Sequence, residues 1–113
     1  MKPLLAMIPA LCCNEKLYTQ VAAGIADLVE HRTINPAWDT LEACAQDVLA
    51  AIEGRFLVMG TAFGGDVARE VALAAPERVL GFWNIGAGAS APADPAAGRR
   101  RGELLRSGRG EEL

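Results

Sequence analysis

Two alternating patterns organise the apolar residues of this chain. Leu4-Leu5-Ala6-Met7-Ile8 is an unbroken apolar run closed by Pro9, the pattern of a strand buried on both faces. Asn14 then offers a helix cap ahead of Leu17, Val21, Ile25 and Leu28, apolar positions stepped by four, four and three. Val29 to Ile34 reads as a second strand, ended by Asn35-Pro36. Asp39 with Glu42 forms a capping box that opens a helix carrying Leu41, Cys44, Ala45, Val48 and Ile52 on one face. Gly54 stops that helix, and Phe56-Leu57-Val58-Met59 predicts a third, fully buried strand. It runs directly into Gly60-Thr61-Ala62-Phe63-Gly64-Gly65, after which a helix continues to about Ala75 and stops at Pro76. Val79 to Ile85 predicts a fourth strand, ended by Gly86-Ala87-Gly88. A Pro/Ala/Gly stretch over 87–98 leads to a last helix from about Arg99 to Arg106.

Strands alternating with helices require right-handed crossovers, hence a parallel sheet with helices on both faces. The expected class is α/β: a three-layer sandwich around about four parallel strands. Ligands on such sheets sit beyond the carboxyl ends of the strands. The loops Pro9–Asn14, Gly60–Gly65 and Gly86–Ala91 meet there, so function is sought there.

Composition narrows the classes. The chain has 113 residues, 51% apolar and 22% charged, enough for one compact domain. No apolar run approaches the roughly 20 residues that span a bilayer, and the N-terminus lacks a signal-peptide pattern. A cytoplasmic protein without membrane contact is expected. Residues 1–98 carry 6 Lys/Arg against 11 Asp/Glu, or −5, and residues 99–113 carry 5 Arg against 3 Glu, or +2. An acidic body repels phosphate backbones, so no nucleic-acid partner is expected, and the tail reads as a solvated, salt-bridged helix. The 3 cysteines lack metal or redox spacing and are expected as reduced thiols. Cys44 belongs to a packed helix face, which leaves Cys12 or Cys13 as a remote nucleophile candidate. No cofactor or metal is implied.

The segment after the third strand carries the chemistry. Glycines two before and two after a central residue, in a tight strand-to-helix turn, force that residue into a strained conformation and lift its side chain over the sheet edge. Here the central residue is Ala62. Gly60-Thr61-Ala62-Phe63-Gly64-Gly65 resembles the nucleophile elbow G-x-S-x-G-G of α/β-hydrolases at every fixed position except the nucleophile. Leu4–Leu11 resembles the first core strand and oxyanion loop of that family, with Ala10 where glycine is usual. Ala75-Pro76-Glu77-Arg78-Val79 resembles the link from the elbow helix to the next strand. The resemblance covers about residues 3–90, in the right order and spacing, and is to the N-terminal half of a small esterase or lipase-like member.

That resemblance has definite implications. It divides the chain into a partial hydrolase-like core, 1–90, and the start of a cap or linker region, 91–113. It implies the strand order second, first, third, fourth. The backbone amides of Leu11 and Phe63 would be the oxyanion donors, and Gly60, Gly64 and Gly65 the elbow glycines. A small ester or acyl compound would be the substrate class. Ala62 has no hydroxyl to attack with, and the downstream Asp and His of the family are absent, so a carboxylic-ester hydrolase type that is inactive as written is expected. The single histidine, His31, falls in the second strand, upstream of the elbow. Asp66, Arg69 and Glu70 are expected to form local ion pairs. Two alternatives stay open: a non-catalytic binding or assembly module on the same fold, and a small doubly wound nucleotide- or phosphate-binding domain. The apolar fourth strand at a sheet edge further predicts a homo-oligomer or pairing with a complementary C-terminal half.

Overall fold

The computed structural model of the chain describes residues 1–88 and 94–112. Its elements are β1 (Leu4–Ile8), a 3-10 turn over Glu15–Tyr18 leading into α1 (Thr19–Ile25), β2 (Glu30–Thr33) and α2 (Leu41–Ala51). They continue with β3 (Phe56–Thr61), α3 (Phe63–Ala74), β4 (Val79–Ile85), α4 (Pro95–Arg106) and a short 3-10 turn over Gly110–Glu112. The four strands form one parallel sheet in the order β2-β1-β3-β4. The expected α/β class and strand order both hold. β1 lies between β2 and β3 and is covered on both faces, which is why it reads as an uninterrupted apolar run.

The two faces are covered unequally. Between the sheet and helices α2 and α3 lies the larger core, with Ala6, Ile8, Phe56 and Val58 from the strands against Cys44, Val48, Val67 and Val71 from the helices. The opposite face holds a smaller cluster of Leu5, Met7, Tyr18 and Met59 beneath α1. Among the described residues no helix is long and apolar enough to cross a membrane.

Several boundaries differ from the pattern reading. The first helix buries Tyr18 and Ala22; of the expected stripe Ile25 packs against the Leu5 cluster, while Leu17, Val21 and Leu28 are exposed. The break into a 3-10 turn rotates the apolar face by one residue, because three residues per turn replace 3.6. In α2 the cap is Thr40, whose side chain accepts from the Ala43 amide at 3.1 Å, one residue after the expected Asp39. The buried face Cys44, Ala45, Val48 and Ile52 is as expected. Helix α4 starts at Pro95, capped by Asp94, four residues ahead of the expected start. It buries no residue; Arg100 pairs with Asp94 at its start, and Arg109 pairs with Glu112 in the 3-10 turn that follows it.

One charged residue organises the base of the sheet. Arg78 donates to the carbonyls of Gly54 (2.9 Å), Leu49 (3.1 Å) and Ile52, and its guanidinium lies 5.4 Å from the Phe56 ring centre. Leu49 O and Ile52 O belong to the last turn and C-cap of α2, where carbonyls lack intrahelical partners and a cation also offsets the helix dipole, while Gly54 O lies in the turn that follows. The Ala-Pro-Glu-Arg-Val link thus clamps α2 to the start of β3 and β4.

Candidate active site

The geometry of the site follows from how closely the chain packs after β3. A Cβ on Gly60 would lie 1.9 Å from the Gly64 carbonyl oxygen, so β3 and α3 meet backbone to backbone. A Cβ on Gly64 would lie 2.0 Å from the carbonyl oxygen of Ile8, at the end of β1. On Gly65 it would lie 2.5 Å from the Asn84 side-chain oxygen, at the end of β4. The glycines therefore seat the first turn of α3 directly on the carboxyl ends of the strands that flank β3.

Between these contacts the chain must reverse over a single residue. Ala62 has φ 54° and ψ −117°, the angles of the first central position of a type II′ turn, which glycine normally occupies. Its amide donates to Ile85 O (2.8 Å), and its carbonyl accepts from the amides of Gly65 (2.9 Å) and Asp66 (3.1 Å). Backbone bonds thus fix the strained residue on both sides. Its side chain is exposed above the sheet edge. A non-glycine residue at these angles stores strain of order 1–3 kcal/mol.

The turn is braced from below by a residue the pattern reading missed. The Tyr18 hydroxyl donates to Ile8 O at 2.8 Å and lies 2.7 Å from Thr61 Oγ1. A phenol has one proton, so Thr61 is the donor in the second bond. Tyr18 is buried, and this burial raises its pKa above the usual phenol value, against the opposing effect of the Thr61 bond. The one tyrosine of the chain thereby ties the end of β1 to the last residue before Ala62. Its position next to Leu17, in a helix read with the wrong face inward, concealed it.

Leu11 and Phe63 lie on the same side of the turn and line one cavity of about 470 Å³. Among the described residues neither amide takes part in a backbone hydrogen bond: Leu11 lies in the loop after β1, and Phe63 opens α3. Cys12, Asn35 and Trp38 complete the wall, and Cys12 adopts φ 63°. Asn35 reaches back to Cys13 O at 3.2 Å, joining the loop after β2 to the loop after β1. The cavity therefore lies beyond the carboxyl ends of the strands, where the topology places a ligand.

Other titratable residues stand apart from Ala62. His31 pairs in register with Leu5, and Leu5 with Leu57, which precedes Ala62 by five residues. At about 3.3 Å per residue the imidazole sits about 16 Å down the sheet, on the exposed edge strand. Asp66 pairs with Arg69 at 3.4 Å, as expected, and Arg69 also donates to Gly88 O at 2.6 Å. Glu70 joins no ion pair among the described residues. Asp94 caps α4. Residues 89–91 of the third expected loop lie outside the described residues, so that loop is represented by Gly86–Gly88 alone.

No family model and no curated protein matches the sequence. Solved structures do. The fold is similar to that of a thermophilic esterase from Thermogutta terrifontis, determined with malate bound, at a TM-score of 0.77 and 18% identity. The match covers 95% of this chain and 44% of that one. A membrane phospholipase A, described as a bacterial virulence factor, gives a TM-score of 0.72 at 22% identity over 82% of this chain and 35% of that one. An extracellular alpha/beta-hydrolase from a Paenibacillus species gives 0.67 at 22% identity, covering 96% of this chain and 52% of that one. Its description notes structural and functional homology to tobacco salicylic acid binding protein 2. The chain thus has the α/β-hydrolase fold, and it spans 35–52% of the length of these structures.

Proposed function

We propose that this chain is an esterase-like acyl-binding half-domain whose elbow has lost its nucleophile. The observation that carries the reading is Ala62, held at φ 54° and ψ −117° between glycines with no room for a Cβ. An unconstrained turn would relax away from these angles. The geometry is costly for alanine, and it is the geometry that presents a nucleophile above a sheet.

The chemistry follows from what is present at that point. The amides of Leu11 and Phe63 are the donors for a developing oxyanion, and the 470 Å³ cavity beside them takes a small ester or acyl compound. A methyl group at position 62 supplies no electron pair, so no acyl-enzyme forms. His31 sits too far down the sheet to act as base for anything bound there. The reading is therefore ligand binding without turnover.

Hydrolysis of p-nitrophenyl acetate tests it. The expected rate is the buffer rate plus a non-saturating thiol contribution that disappears when Cys12 and Cys13 are replaced by serine. Saturable, esterase-like turnover that survives those replacements would overturn the reading.

A further inference from the structure

Resting on the acyl-binding reading above, we propose that Tyr18 is a positioning residue, whose hydroxyl sets the separation of the two amides, of Leu11 and Phe63, that would receive an acyl oxygen. The two donors sit on different loops. Leu11 follows β1 and Phe63 follows β3, and the paired register of those strands ends at Ile8 opposite Gly60. Beyond it Pro9 has no amide to continue the ladder, and the chains part. Among the described residues no backbone hydrogen bond joins residues 9–13 to residues 61–65.

The bridge past that point is a side chain. The Tyr18 hydroxyl donates to Ile8 O at 2.8 Å and accepts from the Thr61 hydroxyl at 2.7 Å. Ile8 stands shortly before Leu11 in the chain, and Thr61 shortly before Phe63. One oxygen atom thus ties both strands just ahead of the donor that each leads into. The tie is anchored at its other end too: Tyr18 is 3% exposed and packs with Leu5, Met7 and Met59 under the sheet. On the β1 side the fixed point carries over to Leu11, because the turn over Ala10–Cys13 is closed by the Cys13 amide on Ala10 O at 3.1 Å and held to the β2 loop by Asn35. On the β3 side it carries over to Phe63 through Ala62, whose amide and carbonyl are both bonded.

Two donors act together only if both reach one oxygen at about 2.7–3.1 Å, and a misplacement of about 1 Å can cost about 10²-fold in rate. A tie of this kind is therefore visible in a reaction at position 62 that develops an oxyanion, and invisible in one that does not. Ala62→Cys provides both. With p-nitrophenyl acetate its thiolate attacks the carbonyl carbon, and the carbonyl oxygen takes up the electron pair and the negative charge. The C–O bond then breaks to leave a thioester and p-nitrophenolate, the thiol proton having passed to solvent. With iodoacetamide the same thiolate displaces iodide from a methylene carbon, and no oxyanion forms. The ratio of the two rates cancels changes in thiolate fraction and exposure, which a merely loosened protein would alter in both.

Both rates at position 62 of the full chain, read by peptide mapping apart from Cys12 and Cys13, test the proposal. In Ala62→Cys the ratio of acetylation to alkylation should exceed that of N-acetylcysteine. Adding Thr61→Val, which keeps the side-chain shape and removes the hydroxyl, should lower the ratio about tenfold, while Thr61→Ser should retain it. Tyr18→Phe should lower it likewise; if that variant fails to fold, the two Thr61 variants carry the test. A ratio above that of N-acetylcysteine that Thr61→Val leaves unchanged would overturn the positioning role and leave the acyl-binding reading standing. An equal loss in Thr61→Ser and Thr61→Val would do the same. A ratio in Ala62→Cys no higher than that of N-acetylcysteine would overturn both.

Discussion

Replacing Ala62 with glycine should stabilise the protein, the reverse of what the substitution does in most structured positions. Alanine at φ 54° and ψ −117° costs of order 1–3 kcal/mol, a cost glycine does not carry. Glycine adds freedom to the unfolded chain, which offsets about 0.4–1 kcal/mol of the gain. The Ala62 side chain is exposed, so its removal forfeits little buried surface. The net expectation is a gain of about 0.5–2 kcal/mol. For a chain of this size that raises Tm by roughly 2–8 °C. Urea unfolding followed by far-UV circular dichroism reads it as a higher midpoint at an unchanged slope. A loss of about 1 kcal/mol, the ordinary cost of glycine in regular structure, would show that residue 62 is not strained and would refute the reasoning.

Gly64→Ala should abolish cooperative unfolding, because its Cβ would meet the Ile8 carbonyl at 2.0 Å and neither backbone can yield; a normal unfolding transition would contradict that packing. Tyr18→Phe should cost about 1–3 kcal/mol in urea unfolding, by leaving Ile8 O and Thr61 short of a buried partner. The same variant isolates a pH effect. Burial raises the Tyr18 pKa in the folded state, so above about pH 10 the unfolded chain releases the proton first and stability falls as pH rises. Tyr18→Phe should flatten that decline, and an unaltered pH profile would remove Tyr18 as its cause. Arg78→Ala should destabilise by about 2–4 kcal/mol through loss of its bonds to three carbonyls, with exchange protection falling first at the end of α2.

How much of this was legible in the sequence depended on what kind of signal each residue carries. β1 and β3 stood out because strands buried on both faces need apolar residues at every position, and no helix face has that requirement. The elbow was legible because its glycines answer close backbone contacts, and backbone contacts leave a spacing in the sequence. Helix α1 was misread because a 3-10 entry shifts the apolar face by a residue, and four-step spacing cannot reveal the shift. Tyr18 was hidden with it. The Arg78 clamp bonds to carbonyls, which every residue possesses, so no partner residue marks it in the sequence. The cap at Thr40 in place of Asp39 is the same kind of miss: both residue types can cap, and the backbone decides between them. The fold was thus readable from periodicity and glycine spacing, while the braces that hold the site became visible only with the backbone in place.

The central claim is that position 62 still occupies a polarised, nucleophile-presenting turn, although alanine there supplies no nucleophile. The most direct measurement supplies one and asks where it reacts. In Ala62→Cys the new thiol stands at the N-terminus of α3, where the helix dipole and free amides favour thiolate. Brief treatment with limiting p-nitrophenyl acetate, followed by peptide mapping, should find the acetyl group on position 62 well ahead of Cys12 and Cys13. Acetylation spread over Cys12 and Cys13, with position 62 reacting no faster than they do, would contradict the account.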